Sequence, residues 1–251
     1  MSVLGIIPAR FNSKRLPGKL LREICGKTLI TRTYENAKKS NLIDRLVVAT
    51  DDERILEEIK SIGGEAYLTP QNIISGTERV VYLVKKENFN QFDYIVNIQG
   101  DEPFISPTLI DECIDTLSKD EKAVVSTPAR KGIKKSELIN PNVVKVIIDH
   151  NGHAIYFSRQ NIPYIRDNDI IFDEHPALVH IGLYVYKKDF ILHYDSLKDS
   201  LLEQMEKLEQ LKIIENGYKI RIIKTDKDSL GIDTIEDFLL AEKIVESYES
   251  R

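Results

Sequence analysis

The chain has little of what marks secreted, membrane-bound or metal-cluster proteins. Its 251 residues include two cysteines, Cys25 and Cys113, and neither stands in a C-x-x-C pair. This excludes a zinc site built on paired cysteines and a disulfide framework, and it fits a reducing cytoplasm. No apolar run approaches the roughly 20 residues that span a bilayer. The N-terminus lacks a basic region, and Val3–Ile7 is too short for a signal-peptide core. G-x-x-x-x-G-K-[ST] and G-x-G-x-x-G are both missing, which argues against a Walker A site and a nicotinamide-binding Rossmann domain. An excess of positive charge is missing too. Lys and Arg number 35 against 40 Asp and Glu, and the formal net charge of -5 speaks against a general nucleic-acid or membrane-surface binder. What is present is an ordinary globular composition, 42% hydrophobic and 30% charged, on a chain long enough to bury a large core.

The first half alternates strand and helix patterns. Buried strands are expected at Val3–Pro8, Arg45–Thr50 and Asp93–Ile98, with a short one at Glu65–Leu68. Helices are expected at Thr28–Ser40, Asp52–Ile62, Thr77–Lys86 and Pro107–Ser118. That alternation implies a parallel sheet with helices on both faces. The second half is richer in strands, expected at Ala123–Ala129, Val143–Asp149, Ala154–Ser158, Leu178–Tyr186 and Lys219–Lys224, with a hairpin turn at His150-Asn151-Gly152. Asn161–Pro176 is polar and reads as an extended loop or insertion. Leu201–Ile213 and Thr234–Tyr248 read as helices, and the basic stretch Ala129–Glu137 as a solvated loop.

Several stretches carry possible chemistry. "ARFNSKRLPGK" follows the first buried strand and crowds Arg10, Lys14, Arg15 and Lys19 into one loop. In an open α/β sheet ligands bind at the carboxyl ends of the strands, so the loop is a candidate polyphosphate site, against the plainer reading of a solvated basic loop. "VNIQGDEPFI" sets Gln99, Asp101 and Glu102 after another buried strand. Carboxylates there suit Mg²⁺, which takes oxygen ligands and substrate phosphates; the plainer reading is a turn. "LGIDTIEDF" supplies Asp233, which by position alone reads as the N-cap of the last helix. In "SGTERV", Ser75 reads as an N-cap, Gly76 as part of its turn and Arg79 as a surface arginine. Arg159 follows a strand in "YFSRQNIPY". In "HIGLYVY" the two-residue period puts His180, Gly182, Tyr184 and Tyr186 on one side of a strand. In "MEKLEQLKII", Met205, Leu208 and Leu211 are expected to face the core, with Glu206, Glu209 and Gln210 outward.

Together these stretches, in this order, resemble the 3-deoxy-manno-octulosonate cytidylyltransferase family, which activates the sugar acid Kdo for lipopolysaccharide biosynthesis. The resemblance runs from about Val3 to about Phe238. It implies a mostly parallel Rossmann-like nucleotidyltransferase sheet with helices on both faces and a smaller β-rich insertion for dimerisation and sugar binding. The chain is then one domain, 1–251. Residues 1–120 mainly bind nucleotide, 121–215 serve the sugar and dimerisation, and 216–251 bring the closing strand, a metal ligand and the last helix. The implied substrates are CTP and Kdo, with Mg²⁺ as cofactor, in a cytoplasmic homodimer that binds neither nucleic acid nor membrane. Arg10, Lys14, Arg15 and Lys19 would surround the CTP phosphates, with Lys19 at the leaving pyrophosphate. Pro8, Ala9, Ser75, Gly76 and Arg79 would frame the nucleoside. Asp101 and Asp233 would hold Mg²⁺. Gln99, Arg159, His180, Tyr184, Glu209 and Gln210 would bind the sugar acid, which replaces the cap reading of Asp233 and the solvated reading of Glu209. Val179, Tyr164 and Val185 depart from residues common in the family near the sugar. They leave open Kdo, its 8-amino analogue or, more distantly, a sialic-acid-type sugar. A non-catalytic nucleotide-binding regulator on the same fold is the rival from another class.

Overall fold

The computed structural model describes the chain apart from residues 14, 74, 88, 167–174, 250 and 251 and the side chains of 248 and 249. In chain order the elements begin with β1 (Val3–Ala9), β2 (Glu23–Ile24), β3 (Lys27–Thr28), α1 (Leu29–Ala37), β4 (Arg45–Thr50) and α2 (Glu53–Ser61). They continue with β5 (Glu65–Leu68), α3 (Gly76–Lys86), β6 (Tyr94–Ile98), α4 (Pro107–Lys119), β7 (Ala123–Arg130) and α5 (Lys135–Leu138). Then come β8 (Lys145–Ile148), β9 (Ala154–Ser158), β10 (Leu178–His180), β11 (Leu183–Lys187) and α6 (Lys188–His193). The last elements are α7 (Leu201–Glu206), α8 (Gln210–Glu215), β12 (Lys219–Thr225) and α9 (Ile235–Glu249).

The chain divides into two compact units, one of Met1–Asp111 with Ser229–Arg251 and one of Glu112–Asp228. In the first, β5, β4, β1 and β6 lie side by side and every pairing is parallel. All seven residues of β1 are buried, as an interior strand of a covered parallel sheet requires. The helices start where short polar side chains can take up unpaired N–H groups. Thr28 accepts from Thr31 N–H at the start of α1, Asp52 from Arg54 N–H at α2 and Ser75 from Glu78 N–H at α3. In the second unit β7 is the hub. It pairs antiparallel with β10 and β11 and parallel with β12, and β10, β8 and β9 continue antiparallel. The fold is thus α/β, with a parallel sheet in the first unit and a β-rich second unit.

Three stretches need correction. Leu178–Tyr186 is two strands, because the chain turns at Ile181-Gly182, where Leu183 N–H donates to the Ile181 carbonyl at 2.8 Å. The two-residue alternation therefore does not carry through from His180 to Tyr186. Leu201–Ile213 is two helices, broken where Lys207 takes a left-handed φ of 55°. That break exposes Met205 (83%) and buries Gln210 (2%), the reverse of the helical-face reading. The basic stretch Ala129–Glu137 is not simply solvated: Arg130 ends β7, is buried, and pairs with Glu137 at 2.5 Å and Asp228 at 3.1 Å. The Asn161–Pro176 loop lies partly outside the described residues. The hairpin at His150–Gly152 stands, with Gly152 at φ 81°.

Between α2 and β5 the backbone passes close to its own helix. A Cβ on Gly64 would sit 2.7 Å from Ile59 Cγ2 and 2.9 Å from the Ile59 carbonyl oxygen. The oxygen is backbone and cannot swing aside. Gly64→Ala is therefore expected to destabilise the fold by about 1–3 kcal/mol, read as a lower urea midpoint at unchanged slope.

Candidate active site

The carboxyl ends of the parallel strands gather the predicted nucleotide and metal residues of the first unit. After β1 the chain runs through the basic loop into a short 3-10 turn, Lys19–Leu21, entered through Gly18 at φ 64°. This turn aims Lys19 inward. Its ammonium donates to Asp101 Oδ2 at 2.5 Å, the Ile232 carbonyl at 2.8 Å and Asp233 Oδ1 at 2.9 Å. All three N–H bonds of the ammonium are thereby used. Arg15 donates to the other oxygen of Asp233 at 2.7 Å. Lys14 lies outside the described residues. Arg10 stands exposed beside the loop, near enough to Arg79 for their charges to repel.

Two devices present Asp101 and Asp233. Gly100 follows β6 at a point where a Cβ would sit 3.1 Å from the Pro8 carbonyl, and Thr33 Oγ1 donates to the Gly100 carbonyl at 2.9 Å. Ile232 N–H donates to the Asp101 carbonyl at 2.9 Å. Glu102, the second candidate carboxylate of this segment, turns away from Lys19 to a backing role. Its carboxyl accepts from the Ser229 hydroxyl and lies against Gly231, so it backs the segment that carries Asp233. Burial, with the charges of Asp101 and Asp233 adding, raises Glu102 to about 7 against the opposing Ser229 hydrogen bond. The last helix is not capped by Asp233. Thr234 Oγ1 accepts from Asp237 N–H at 3.2 Å while Asp237 Oδ2 accepts from Thr234 N–H at 2.9 Å, a reciprocal cap. The Asp233 side chain is thus left to face Lys19 and Arg15.

The nucleoside side is more structural than expected. Ser75 caps α3. Arg79 is buried, with its guanidinium donating to Asp51 Oδ2 at 3.1 Å, the Ile73 carbonyl at 2.9 Å and Thr69 Oγ1. Asp51 accepts Phe11 N–H at 2.9 Å through its other oxygen, so one buried ion pair pins both loops. A Cβ on Gly76 would lie 3.4 Å from the Gln99 amide and 3.6 Å from Pro8 Cγ, which puts Pro8, Gly76 and Gln99 at one place, beside Ala9 at the end of β1. Gln99 Nε2 donates to Asn97 Oδ1 at 3.1 Å.

The predicted sugar residues of the second unit also cluster. His180 Nε2 lies 2.9 Å from Thr127 Oγ1, whose hydroxyl donates to the Leu183 carbonyl at 2.7 Å. The His180 ring meets Phe157 edge-on at 5.2 Å and Tyr184 at 5.4 Å. Desolvation lowers its pKa to about 3, so the imidazole is neutral at pH 7. Tyr184 donates to Gln210 Oε1 at 3.1 Å, and burial raises its phenol well above 10. The buried Gln210 Nε2 has no hydrogen-bond partner among the described residues. Glu209 immediately precedes α8. Arg159 spends its guanidinium largely on backbone carbonyls, those of Glu206 at 2.8 Å and Pro141 at 2.9 Å.

Two carboxylates thus converge on one cation, at the strand ends and beside a basic loop. The cytidylyltransferase family profile matches residues 4–222. The 3-deoxy-manno-octulosonate cytidylyltransferase of Fusobacterium nucleatum is 46% identical over 237 residues, covering 94% of both chains. That of Solibacter usitatus is 44% identical, covering 94% of this chain and 91% of its own. A solved CMP:2-keto-3-deoxy-manno-octonic acid synthetase complexed with CTP superposes with a TM-score of 0.91 at 33% identity, over 99% of this chain and all of the other. The chain belongs to the cytidylyltransferase family and, within it, to the 3-deoxy-manno-octulosonate cytidylyltransferases.

Partners set the Lys19 and Asp233 titrations. Desolvation opposes the Lys19 charge, but Asp101 and Asp233 overcome it and lift Lys19 above its ordinary 10.5. Desolvation would raise Asp233, but Lys19 and Arg15 hold it below 3.8. The stability this pair contributes is present between those values. It is lost as pH falls below 3.8 through the Asp233 value or rises above 10.5 through that of Lys19. Lys19→Met is expected to move the Asp233 carboxyl upward, measured by NMR titration of its carboxyl carbon; a value that stays depressed would refute Lys19 as the cause. For His180, the unfolded chain takes up a proton below 6.5 that the folded ring refuses, so stability falls as pH drops from 6.5 toward 3. Its ¹⁵N shifts are expected to report a neutral ring throughout pH 5–8 (roughly the range over which free imidazole titrates).

Proposed function

We propose that the protein transfers CMP from CTP to the anomeric hydroxyl of 3-deoxy-manno-octulosonate, giving CMP-Kdo and pyrophosphate. The observation that carries this reading is the meeting of Lys19, Asp101 and Asp233 in a chain related nearly end to end to enzymes named for that reaction. The C2 hydroxyl oxygen forms a bond to the α-phosphorus, the bond to the pyrophosphate oxygen breaks, and the hydroxyl proton passes to solvent. Both substrates are anionic, so positioning and charge compensation dominate.

Each residue has a part in that scheme. Lys19, Arg10, Lys14 and Arg15 draw the triphosphate and compensate the leaving pyrophosphate. Pro8, Ala9, Gly76 and Ser75 shape the nucleoside site, and Arg79 braces it through Asp51. The sugar acid meets Gln99, Arg159, His180, Tyr184, Glu209 and Gln210. A neutral His180 binds and is not charged by the reaction at pH 7. The open N–H bonds of Gln210 suit a sugar oxygen, because a buried amide without an acceptor costs about 1–3 kcal/mol.

The donor set fits Mg²⁺: Asp101 and Asp233 are hard oxygen ligands already directed at one cation, and phosphate oxygens and water complete a shell. When bound, Mg²⁺ would neutralise phosphate charge and acidify the attacking hydroxyl. A cytoplasmic homodimer is part of the same reading. The exposed Leu201 and Met205 of α7 offer apolar surface for self-association.

The decisive measurement is pyrophosphate release with CTP and Mg²⁺, comparing Kdo, its 8-amino analogue and sialic acid. Kdo is expected to be preferred. Preference for another sugar would move the substrate assignment, and binding of CTP without release would favour a regulator. Asp101→Ala is expected to keep the fold and lose at least about a hundredfold in kcat; near-normal turnover would remove Asp101 from the metal site.

A further inference from the structure

Glu206 joins α7 to the end of β9 by bonds that run both ways. Its Oε1 accepts from the Ser158 hydroxyl at 2.6 Å and its Oε2 from Arg159 N–H at 2.9 Å. In return Arg159 Nε donates to the Glu206 carbonyl at 2.8 Å. From the other side the buried ammonium of Lys145 donates to the Arg159 carbonyl at 2.5 Å, and to those of Val143 at 2.7 Å and Asn140 at 3.0 Å. The end of β9 is therefore a fixed anchor, and the carboxylate of Glu206 fastens the last turn of α7 to it.

The path of the chain beyond Glu206 depends on that anchor. Lys207 turns the chain through the left-handed region, an uncommon conformation for a residue with a side chain, held only where its surroundings impose it. Leu208 is buried, and α8 starts at Gln210. Only Lys207, Leu208 and Glu209 separate the clamp from the amide whose oxygen accepts the Tyr184 hydroxyl and whose nitrogen has no partner among the described residues. A site group must be held to within roughly half an ångström to serve, and a rigid support close in sequence is the means of doing so.

We propose that Glu206 is a positioning residue for sugar-acid recognition: its carboxylate locks α7 to β9 and so fixes the start of α8, where Glu209 and Gln210 are presented. The inference rests on the reading that Tyr184 and Gln210 meet the sugar acid. A carboxylate that only tied down a helix end would affect stability and leave the two substrates equally served. A positioning role separates them.

The test is steady-state kinetics of the full chain with CTP, Mg²⁺ and Kdo. Glu206→Ala is expected to raise the KM for Kdo by about tenfold, the scale of one net hydrogen bond, while the KM for CTP stays within about twofold. Glu206→Gln, which keeps one acceptor oxygen, is expected to fall between, at about threefold. A Kdo KM unchanged in folded Glu206→Ala, or an equal rise for both substrates, overturns the inference. If Glu206→Ala does not fold, Ser158→Ala carries the test: a rise of about threefold in the Kdo KM alone supports the clamp, and no change overturns it. Wild-type turnover of Kdo beside an unaltered variant refutes the clamp alone. Wild-type protein that turns over no acid sugar refutes the substrate reading beneath it.

Discussion

The ammonium of Lys19 is the point that ties three loops of the first unit together. Three oxygens hold it, and two of them come from residues 82 and 214 positions away in the chain. Taking a lysine out of water is unfavourable unless its charge and its donors are met together. Here two carboxylates meet the charge and a main-chain carbonyl completes the donors. Removing one partner would leave a nearly buried charge uncompensated, which is why the loop after β1, the turn after β6 and the segment before α9 settle as one arrangement. Glu102 and Ser229 back that arrangement from behind, and Thr33 fixes the Gly100 turn from the helix side.

Much of this was legible from residue order. Buried runs bounded by polar turns located β1, β4 and β6 to within a residue or so, because burial on both faces is a local property, and the short β5 and β9, though part exposed, fell where expected. The misplaced elements are those decided by distant partners. Nothing in "HIGLYVY" announces the turn at Gly182, and nothing in "MEKLEQLKII" the left-handed Lys207, since both are held by contacts from elsewhere in the second unit. Helical periodicity sent Glu206 and Gln210 to solvent, whereas the broken helix turns both inward. Thr234 and Asp233 illustrate a finer limit. Either fits an N-cap, since Glu236 follows Asp233 by three residues as Asp237 follows Thr234; the cap falls to Thr234, while the Asp233 carboxylate is taken by Lys19 and Arg15. Resemblance marks Arg79 and Arg159 only as candidate site residues. Their bracing of loops by carbonyls and a buried aspartate appears only in three dimensions.

The second unit solves a different electrostatic problem. Around His180 the neighbours are Phe157, Tyr184 and the hydroxyl of Thr127, and among the described residues no carboxylate is in contact with the ring. Such surroundings keep the imidazole neutral and the Tyr184 phenol protonated, so in the proposed reaction these two side chains would meet the sugar as neutral donors and acceptors, whatever charge Arg159 and Glu209 bring. A sugar carries many hydroxyls, each donor and acceptor. Neutral partners discriminate their arrangement, where a field of charge would attract any anion.

The basic loop of an acidic chain thus acquires a sharper meaning. Its cations are not a bare positive field. Lys19 is matched by Asp101 and Asp233, Arg15 by Asp233, and Arg79 beneath them by Asp51. In the proposed reaction a triphosphate at this loop would exchange partners with those carboxylates, so each new contact would be offset by a pair given up, the exposed Arg15 pair most cheaply. The exchange would become favourable with Asp101 and Asp233 holding a divalent ion, which would leave Lys19 and Arg15 for phosphate. In the proposed reaction nucleotide and metal therefore assist each other's binding through one shared set of charges. By linkage the assistance must be equal in both directions. The same pairing spares the protein a strongly repulsive cluster of like charge when neither is bound, which is how an otherwise acidic chain carries such a loop without loss of stability.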